Sequence, residues 1–344
     1  METILFLAHS EADGTLARPA REALNCARTL AAGLPGSSLL AGLVGADVQA
    51  AANAIAACGA ARFLGVAGPD FGFSRYPTDA AAAEALCRAA AATIVVAAGT
   101  SRWSRVLAGV AQRLHGRIDA HVTGVSPQEG RAAVTRWYYR QRMEATLQRS
   151  QRPWCLLVDP GCREPWAGSP GAAALEIVPV TITDAHRRTA VKGIQAPPAD
   201  EQTIRPDARL LFVAGAGWTK TQSDGRSHAP EAEALILDFL AKTKASLGST
   251  KSLVDLRGEG QAVLKFMTHL NQVGQTGSTP RHPQGLAACC HGEEPHTVGW
   301  RFINERRAIN LNPNCGWAQG KADVLYVADA FAVIRQVNEL LAAR

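Results

Sequence analysis

The chain has 344 residues, enough for two domains at ~100–200 residues each, and either could bury a full core. Hydrophobic residues make up 47% and charged residues 19%, which excludes a disordered chain and a disulfide-stapled miniprotein. The net charge of +6, from 36 Lys+Arg against 30 Asp+Glu, is mild and interspersed rather than gathered into the basic stripe of a nucleic-acid binder. The nearest candidate, Arg136 to Arg149 with Trp137, Tyr138, Tyr139, Arg140 and Arg142, also holds Glu144 and alternates like a strand. No apolar run reaches the ~18 residues of a membrane span, so no membrane insertion is expected. The start, METILFLAHSEADG, has neither a basic n-region nor a long apolar h-region, and no signal peptide is expected. It is also too acidic and strand-like for a transit peptide.

The first half alternates strand and helix. Ile4–Ala8 is a continuous apolar run, as in a strand buried on both faces. Pro19–Ala32 has Ala20, Leu24, Ala27 and Leu30 at helical spacing and Gly33 as a stop. The pattern then predicts strand Ser38–Val44, helix Val48–Cys58, strand Arg62–Val66, helix Asp79–Ala91, strand Thr93–Ala98 and helix Ser101–Leu114. Such a rhythm implies a parallel, doubly wound sheet. From Ile118 the long helices stop, and His121–Val125, Ala132–Tyr139, Glu144–Gln148 and Trp154–Val158 predict a mixed or antiparallel extension.

A break is expected over Asp159–Ala174, rich in Gly and Pro. A linker is expected at 196–207, where Pro197, Pro198 and Pro206 cluster, just after lysine first enters the chain at Lys192. The expected domains are therefore 1–195 and 208–344. The second begins with strand Arg209–Ala214. Helix Glu231–Lys242, segment Gly248–Asp255, helix Glu259–Leu270 and loop Val273–Gly277 follow. Strands Leu286–Cys290, Ala308–Leu311 and Val324–Ala328 and helix Phe331–Leu341 complete it.

Eight cysteines contain no C-x-x-C pair and mostly sit in apolar patterns, as buried free thiols in a reducing compartment would. Cys289-Cys290 with His291 and His296 is the nearest approach to a metal set. Adjacent cysteines rarely share one tetrahedral ion, so no metal is expected. His9 reads as a polar strand-end residue, and His115, His121, His186 and His228 as surface or linker residues. Ser101 and Ser104 read as helix caps, and Asp323 as a loop end. No nucleophile elbow, Walker A or H-E-x-x-H pattern occurs.

Gly215-Ala216-Gly217 follows a strand, as a dinucleotide fingerprint does, but position 220 is Lys instead of the third glycine. Val273-Gly274-Gln275-Thr276-Gly277 is sharper. Two glycines three apart allow close approach to a flat or anionic ligand, and Gln275 and Thr276 supply an amide and a hydroxyl between them. Gly248-Ser249-Thr250-Lys251…Val254-Asp255, Ala308-Ile309-Asn310-Leu311-Asn312-Pro313 and Val327-Ala328-Asp329 complete an ordered set.

With these four patterns the chain resembles the alpha subunits of the electron-transfer flavoproteins, whose motifs are V-G-Q-T-G, G-A-S-R…V-D, A-I-N-K-D-P and V-A-D. The resemblance runs nearly the whole length and is strongest from about residue 205 onward. Thr250 stands in the serine slot and Lys251 in the arginine slot. There are departures. The family's G-G-R-G turn is Gly215-Ala216-Gly217-Trp218 here, with Lys220 the nearest cation, and its I-S-G-A-I-Q-H is His291–Thr297, with Gly292 at the serine and His296 at the glutamine or histidine.

The resemblance implies two doubly wound α/β domains. The first would hold a nucleotide-hydrolase-like parallel sheet, and the second would be Rossmann-like and bind FAD. It implies Lys220, Thr250, Lys251, Val273, Gly274, Gln275, Thr276, Gly277, Gly292, His296, Asn310 and Asp329 as cofactor-binding residues. Thr276 would lie near flavin N5, Gln275 at the ring or ribityl chain, Lys251 beside the ring and Asp329 near the adenosine end. It further implies a bacterial, cytoplasmic electron carrier without substrate turnover of its own. A beta subunit holding AMP would be its heterodimer partner, a primary dehydrogenase its donor and a membrane-associated quinone oxidoreductase its acceptor. Two alternatives stand beside this reading: a relic that keeps the fold and the beta partner but has lost FAD, and a nucleotide-dependent oxidoreductase, favoured by Gly215–Gly217.

Overall fold

The computed structural model describes residues 1–138, 143–193, 204–205, 207–255, 263–274, 279–288 and 303–343, and the chain divides into two compact units, Met1–Ile194 and Gln195–Arg344. The linker expected at 196–207 falls largely outside the described residues, as do Tyr139, Arg140 and Arg142 of the basic stretch and Cys289, Cys290, His291 and His296.

The first unit is built on β1 (Thr3–His9), β2 (Ser38–Gly45), β3 (Arg62–Ala67), β4 (Ile94–Ala98), β5 (Arg117–Gln128), β6 (Arg131–Tyr138), β7 (Met143–Leu147), β8 (Trp154–Val158) and β9 (Leu175–Ile177). They form one sheet in the order β7-β6-β5-β8-β4-β1-β2-β3-β9. The strands from β5 through β9 in that order pair in parallel, while β6 and β7 extend the sheet antiparallel, as expected. Between the strands run α1 (Arg18–Gly33), α2 (Gln49–Ala54), α3 (Tyr76–Ala89) and α4 (Ser101–Arg113). Ile4 and Phe6 pack on the α1 face and Leu5 and Leu7 on the α3–α4 face, all without exposed surface. The continuous apolar run thus reflects burial on two faces, each such side chain contributing about 1.5–3 kcal/mol.

Several expectations are corrected. The helix expected over Val48–Cys58 ends at Ala54 and continues as a 3-10 turn, Ala56–Cys58, stopped by Gly59 at φ +85°. Ser101 and Ser104 are not caps. Thr100 holds the N-cap position of α4, and no side chain caps that helix. His9 is largely buried, its ring 5.9 Å from Trp103, and burial together with the charge of Arg102 lowers its pKa to about 4.

The segment 159–174 belongs to the first unit. Glu22 accepts from Gly161 N at 2.6 Å, Trp166 N donates to the Arg21 carbonyl at 3.0 Å, and Asn53 Oδ1 accepts from Ala173 N at 3.0 Å. This strap delivers β9 to β3 at the edge of the sheet. Its tethers lie more than a hundred residues upstream, so composition alone reads it as a break. Among the described residues no cysteine forms a disulfide, five of the six being buried, and no helix is long and apolar enough to cross a membrane.

The second unit is a sheet of five parallel strands: β10 (Leu210–Ala214), β11 (Ser246–Ser249), β12 (His282–Ala288), β13 (Ile303–Asn310) and β14 (Val324–Val327), in the order β11-β10-β12-β13-β14. Helices α5 (Ala229–Thr243) and α8 (Ala330–Ala342) share one core with Phe212, Trp218 and Leu247; α6 (Lys251–Asp255) and α7 (Gly316–Lys321) are short. The helix expected over Glu259–Leu270 is absent from its described part, where turns lead to a 3-10 helix at His269–Asn271. Thr268 Oγ1 accepts from Leu270 N and Asn271 Oδ1 from Thr268 N, so these side chains take up local backbone bonding groups and favour the turn.

The basic stretch at residues 136–149 has a structural use. Asp119 on β5 is 1% exposed and accepts from Arg136 Nη1 at 2.8 Å, Arg149 Nη2 at 2.9 Å and Trp154 Nε1 at 2.8 Å. Burial raises its pKa, but the bonds from Arg149, Trp154 and Arg136 outweigh that and leave it below the ordinary carboxylate value. A lowered folded pKa gives stability that is complete above the unfolded value and is lost as pH falls through the folded one. Acid titration should therefore weaken the first unit below about pH 4. Asp119→Asn should cost about 3 kcal/mol or more at pH 7 and flatten that acid limb, as read by urea unfolding at several pH values.

Candidate functional site

In the second sheet the strand order reverses at β10, which lies between β11 and β12. Connections leaving neighbouring strands diverge at such a point, and a crevice opens beyond the carboxyl ends. Every described residue expected to hold a cofactor lies at this end of the sheet.

After β10 the chain turns through a 3-10 helix, Ala216–Trp218. Trp218 is fully buried, donates Nε1 to the Ala288 carbonyl at 2.9 Å and packs against Phe331 at 4.6 Å. The Gly-Ala-Gly run is thus a packed turn carrying a core side chain. Lys220 follows it, exposed.

At the end of β11, Gly248 is required sterically: an added Cβ would stand 2.5 Å from Val273 Cγ2. That closeness lets the 272–273 segment pair alongside β11, with Val273 N donating to the Ser249 carbonyl at 3.0 Å. Gly274 follows at φ +86°, a left-handed conformation natural to glycine, and donates its N–H to Thr279 Oγ1 at 2.7 Å. Buried Val273 and Thr279 thus anchor both sides of the loop; Gln275, Thr276 and Gly277 lie outside the described residues, as do Gly292 and His296.

Thr250 is fully buried, donates its N–H to the Ala214 carbonyl at 2.9 Å, and accepts from Leu253 N at 3.3 Å, opening α6. Lys251 points into solvent, 65% exposed, and stands 3.8 Å from Asp255, which also lies 3.7 Å from His269. On the far side, Asn310 ends β13 and Asp329 follows β14; the Asn310 carbonyl accepts from Ala328 N at 3.3 Å. Asp329 Oδ1 caps α8 through Ala332 N at 2.8 Å. The structure thus joins Thr250, Lys251, Val273 and Gly274 in one group and Asn310 and Asp329 in another, on the same edge.

Two buried polar atoms at this edge have no partner among the described residues. They are Ser249 Oγ, on a residue without exposed surface, and Asn310 Nδ2, on a residue 1% exposed. Each costs about 1–3 kcal/mol unless a ligand or water meets it. These donors suit a polar, multiply oxygenated ligand, so the residues present fit a nucleotide-type cofactor. Sequence reasoning missed Ser249, Thr279 and Trp218. Thr279 could have been suspected from its place just past the glycine loop; Ser249 and Trp218 stand inside patterns the sequence shows, but their burial is not a local property.

Residues 4–185 match the family model described as the electron transfer flavoprotein domain, more than half of the chain. A search of curated proteins found no match.

The glycine contact carries a direct consequence. Gly248→Ala should push the 272–274 segment off β11 and destabilise the second unit by about 1–3 kcal/mol, the usual range for overpacking. Hydrogen exchange at the β10 and β11 amides reads this. Unchanged protection there would mean that the segment yields without loss.

Proposed function

This chain belongs to the electron transfer flavoprotein family, and we propose that it is an FAD-binding, alpha-type subunit of a heterodimeric electron carrier. The observation that carries this reading is the anchored glycine loop at the strand-order reversal, flanked by Ser249 Oγ and Asn310 Nδ2, which have no partner among the described residues. When bound, FAD would supply the electron-accepting ring, taking electrons from a primary dehydrogenase and yielding them to a quinone oxidoreductase or similar acceptor. The domain 208–344 holds the cofactor, a beta-type subunit carries AMP, and the chain turns over no substrate of its own.

Each residue has a distinct task in this reading. Gly274 and Gly277 let backbone approach the ligand closely, Gln275 and Thr276 offer an amide and a hydroxyl to the ring and its chain, and Val273 holds the loop against β11. Thr250 organises the first turn of α6, so that Lys251 presents its charge at the mouth. Asn310 and Asp329 serve the adenosine end; Asp329 caps α8 with one oxygen. Lys220, Gly292 and His296 line the remaining contacts.

A partner surface is part of this reading, because loops at strand ends wall a site from one side only. Expression with the neighbouring beta-type subunit should give a yellow heterodimer with one FAD. The chain alone should lose the flavin, since binding and assembly stabilise each other by mass action. A yellow, fully loaded monomer that ignores the beta-type subunit would overturn the heterodimer. A colourless heterodimer would support the relic reading, which the altered His291–Thr297 sequence favours.

Lys251→Ala in the flavin-loaded protein should lower the midpoint potential, because removing a cation disfavours negative charge on the ring. Its exposure limits the effect to about 20 mV while the mouth is open to water. A larger drop would show that the partner covers Lys251, and no change at all would remove Lys251 from the site.

A further inference from the structure

The second unit carries a groove of about 480 Å³ between α5, α8 and one face of its sheet. Its lining includes none of the residues assigned to the carboxyl-end crevice, so its ligand is argued separately from the flavin reading. Phe239 of α5, Val337 of α8 and Leu286 and Ile309 of the sheet give it an apolar interior. The volume falls within the ~300–1,000 Å³ of small-molecule sites.

The mouth is polar and carries both signs of charge. Glu305 and Arg307 stand two residues apart on β13, and both line the groove, as residues at that spacing share a face. Arg307 Nη1 donates to the Tyr326 hydroxyl at 2.8 Å, and among the described residues no carboxylate pairs with it. Glu305 Oε2 accepts from Gln284 Nε2 at 3.1 Å, and among the described residues no cation pairs with it. A purely anionic ligand would meet Glu305, and a purely cationic one Arg307. Only a ligand with both charges satisfies the two together, and only one with an apolar body gains from leaving water.

We propose that this groove binds a zwitterionic amino acid with a large apolar side chain. The guanidinium fork of Arg307 and the Tyr326 hydroxyl take the carboxylate, the Glu305 carboxylate takes the ammonium, and the side chain lies against Leu286, Ile309 and Val337.

Calorimetric titration of the full chain with phenylalanine, combined with methyl spectra of the labelled protein, tests this. Saturable one-to-one binding that shifts the Leu286, Ile309 and Val337 methyls is expected. Arg307→Met and Glu305→Gln, both at exposed positions and checked for an otherwise unchanged methyl spectrum, should each weaken binding about tenfold. Phenylpropanoate and phenylethylamine, each lacking one charge, should bind about tenfold more weakly than phenylalanine. Absence of saturable binding to the unmodified chain up to about 10 mM would overturn the proposal. So would binding that leaves those methyls unmoved, or equal affinity for phenylpropanoate.

Discussion

Parallel strands cannot be joined by a tight turn, and each return to the sheet needs a crossover. That constraint organises both units. Crossovers lay helices on the faces of the sheet, so the strands become apolar on both sides, and Ile4, Leu5, Phe6 and Leu7 are all without exposed surface. The strand ends are then the natural places for polar chemistry. In the second sheet the reversal of order at β10 separates the loops at the carboxyl end and leaves room for a ligand.

Within that room, geometry depends on one absent methyl group. Because Gly248 has no Cβ, Val273 packs where that atom would be, and the segment pairs with Ser249. Gly274 then turns left-handed, and Thr279 catches its N–H. The loop is anchored on both sides by bonds that do not involve a ligand. Preorganisation of this kind lowers the ordering cost of binding, and Ser249 Oγ and Asn310 Nδ2 have no partner among the described residues.

The first unit is held at its margins by buried acids. Asp119 ties β5 to Arg136 and Arg149, near the two antiparallel strands β6 and β7, and to Trp154 of β8. Glu22 holds the strap after β8 through Gly161. Such groups are costly to bury alone and stable only when their bonds are complete. Sheet extension and strap therefore depend on correctly placed polar side chains as well as on the burial of Val134 and Trp166. The family match spans this unit, while the four patterns quoted from the sequence lie in the other.

The sequence by itself determined the alternation of strand and helix, the parallel core and the change of pattern at Ile118, because the period of apolar residues is a local property. It also marked Val273–Gly277, since glycine spacing is visible without a fold. Tertiary structure decided the rest. The strap 159–174 is held by Glu22 and Asn53 from far upstream, and the expected helix after Glu259 gives way, in its described part, to side chains that bond their own backbone. Trp218 became core only because Phe331 returns to it over a hundred residues later. Ser249 and Asn310 became neighbours of one crevice only through strand order. Burial and partnership are properties of what the chain brings near a residue, and no local pattern carries them.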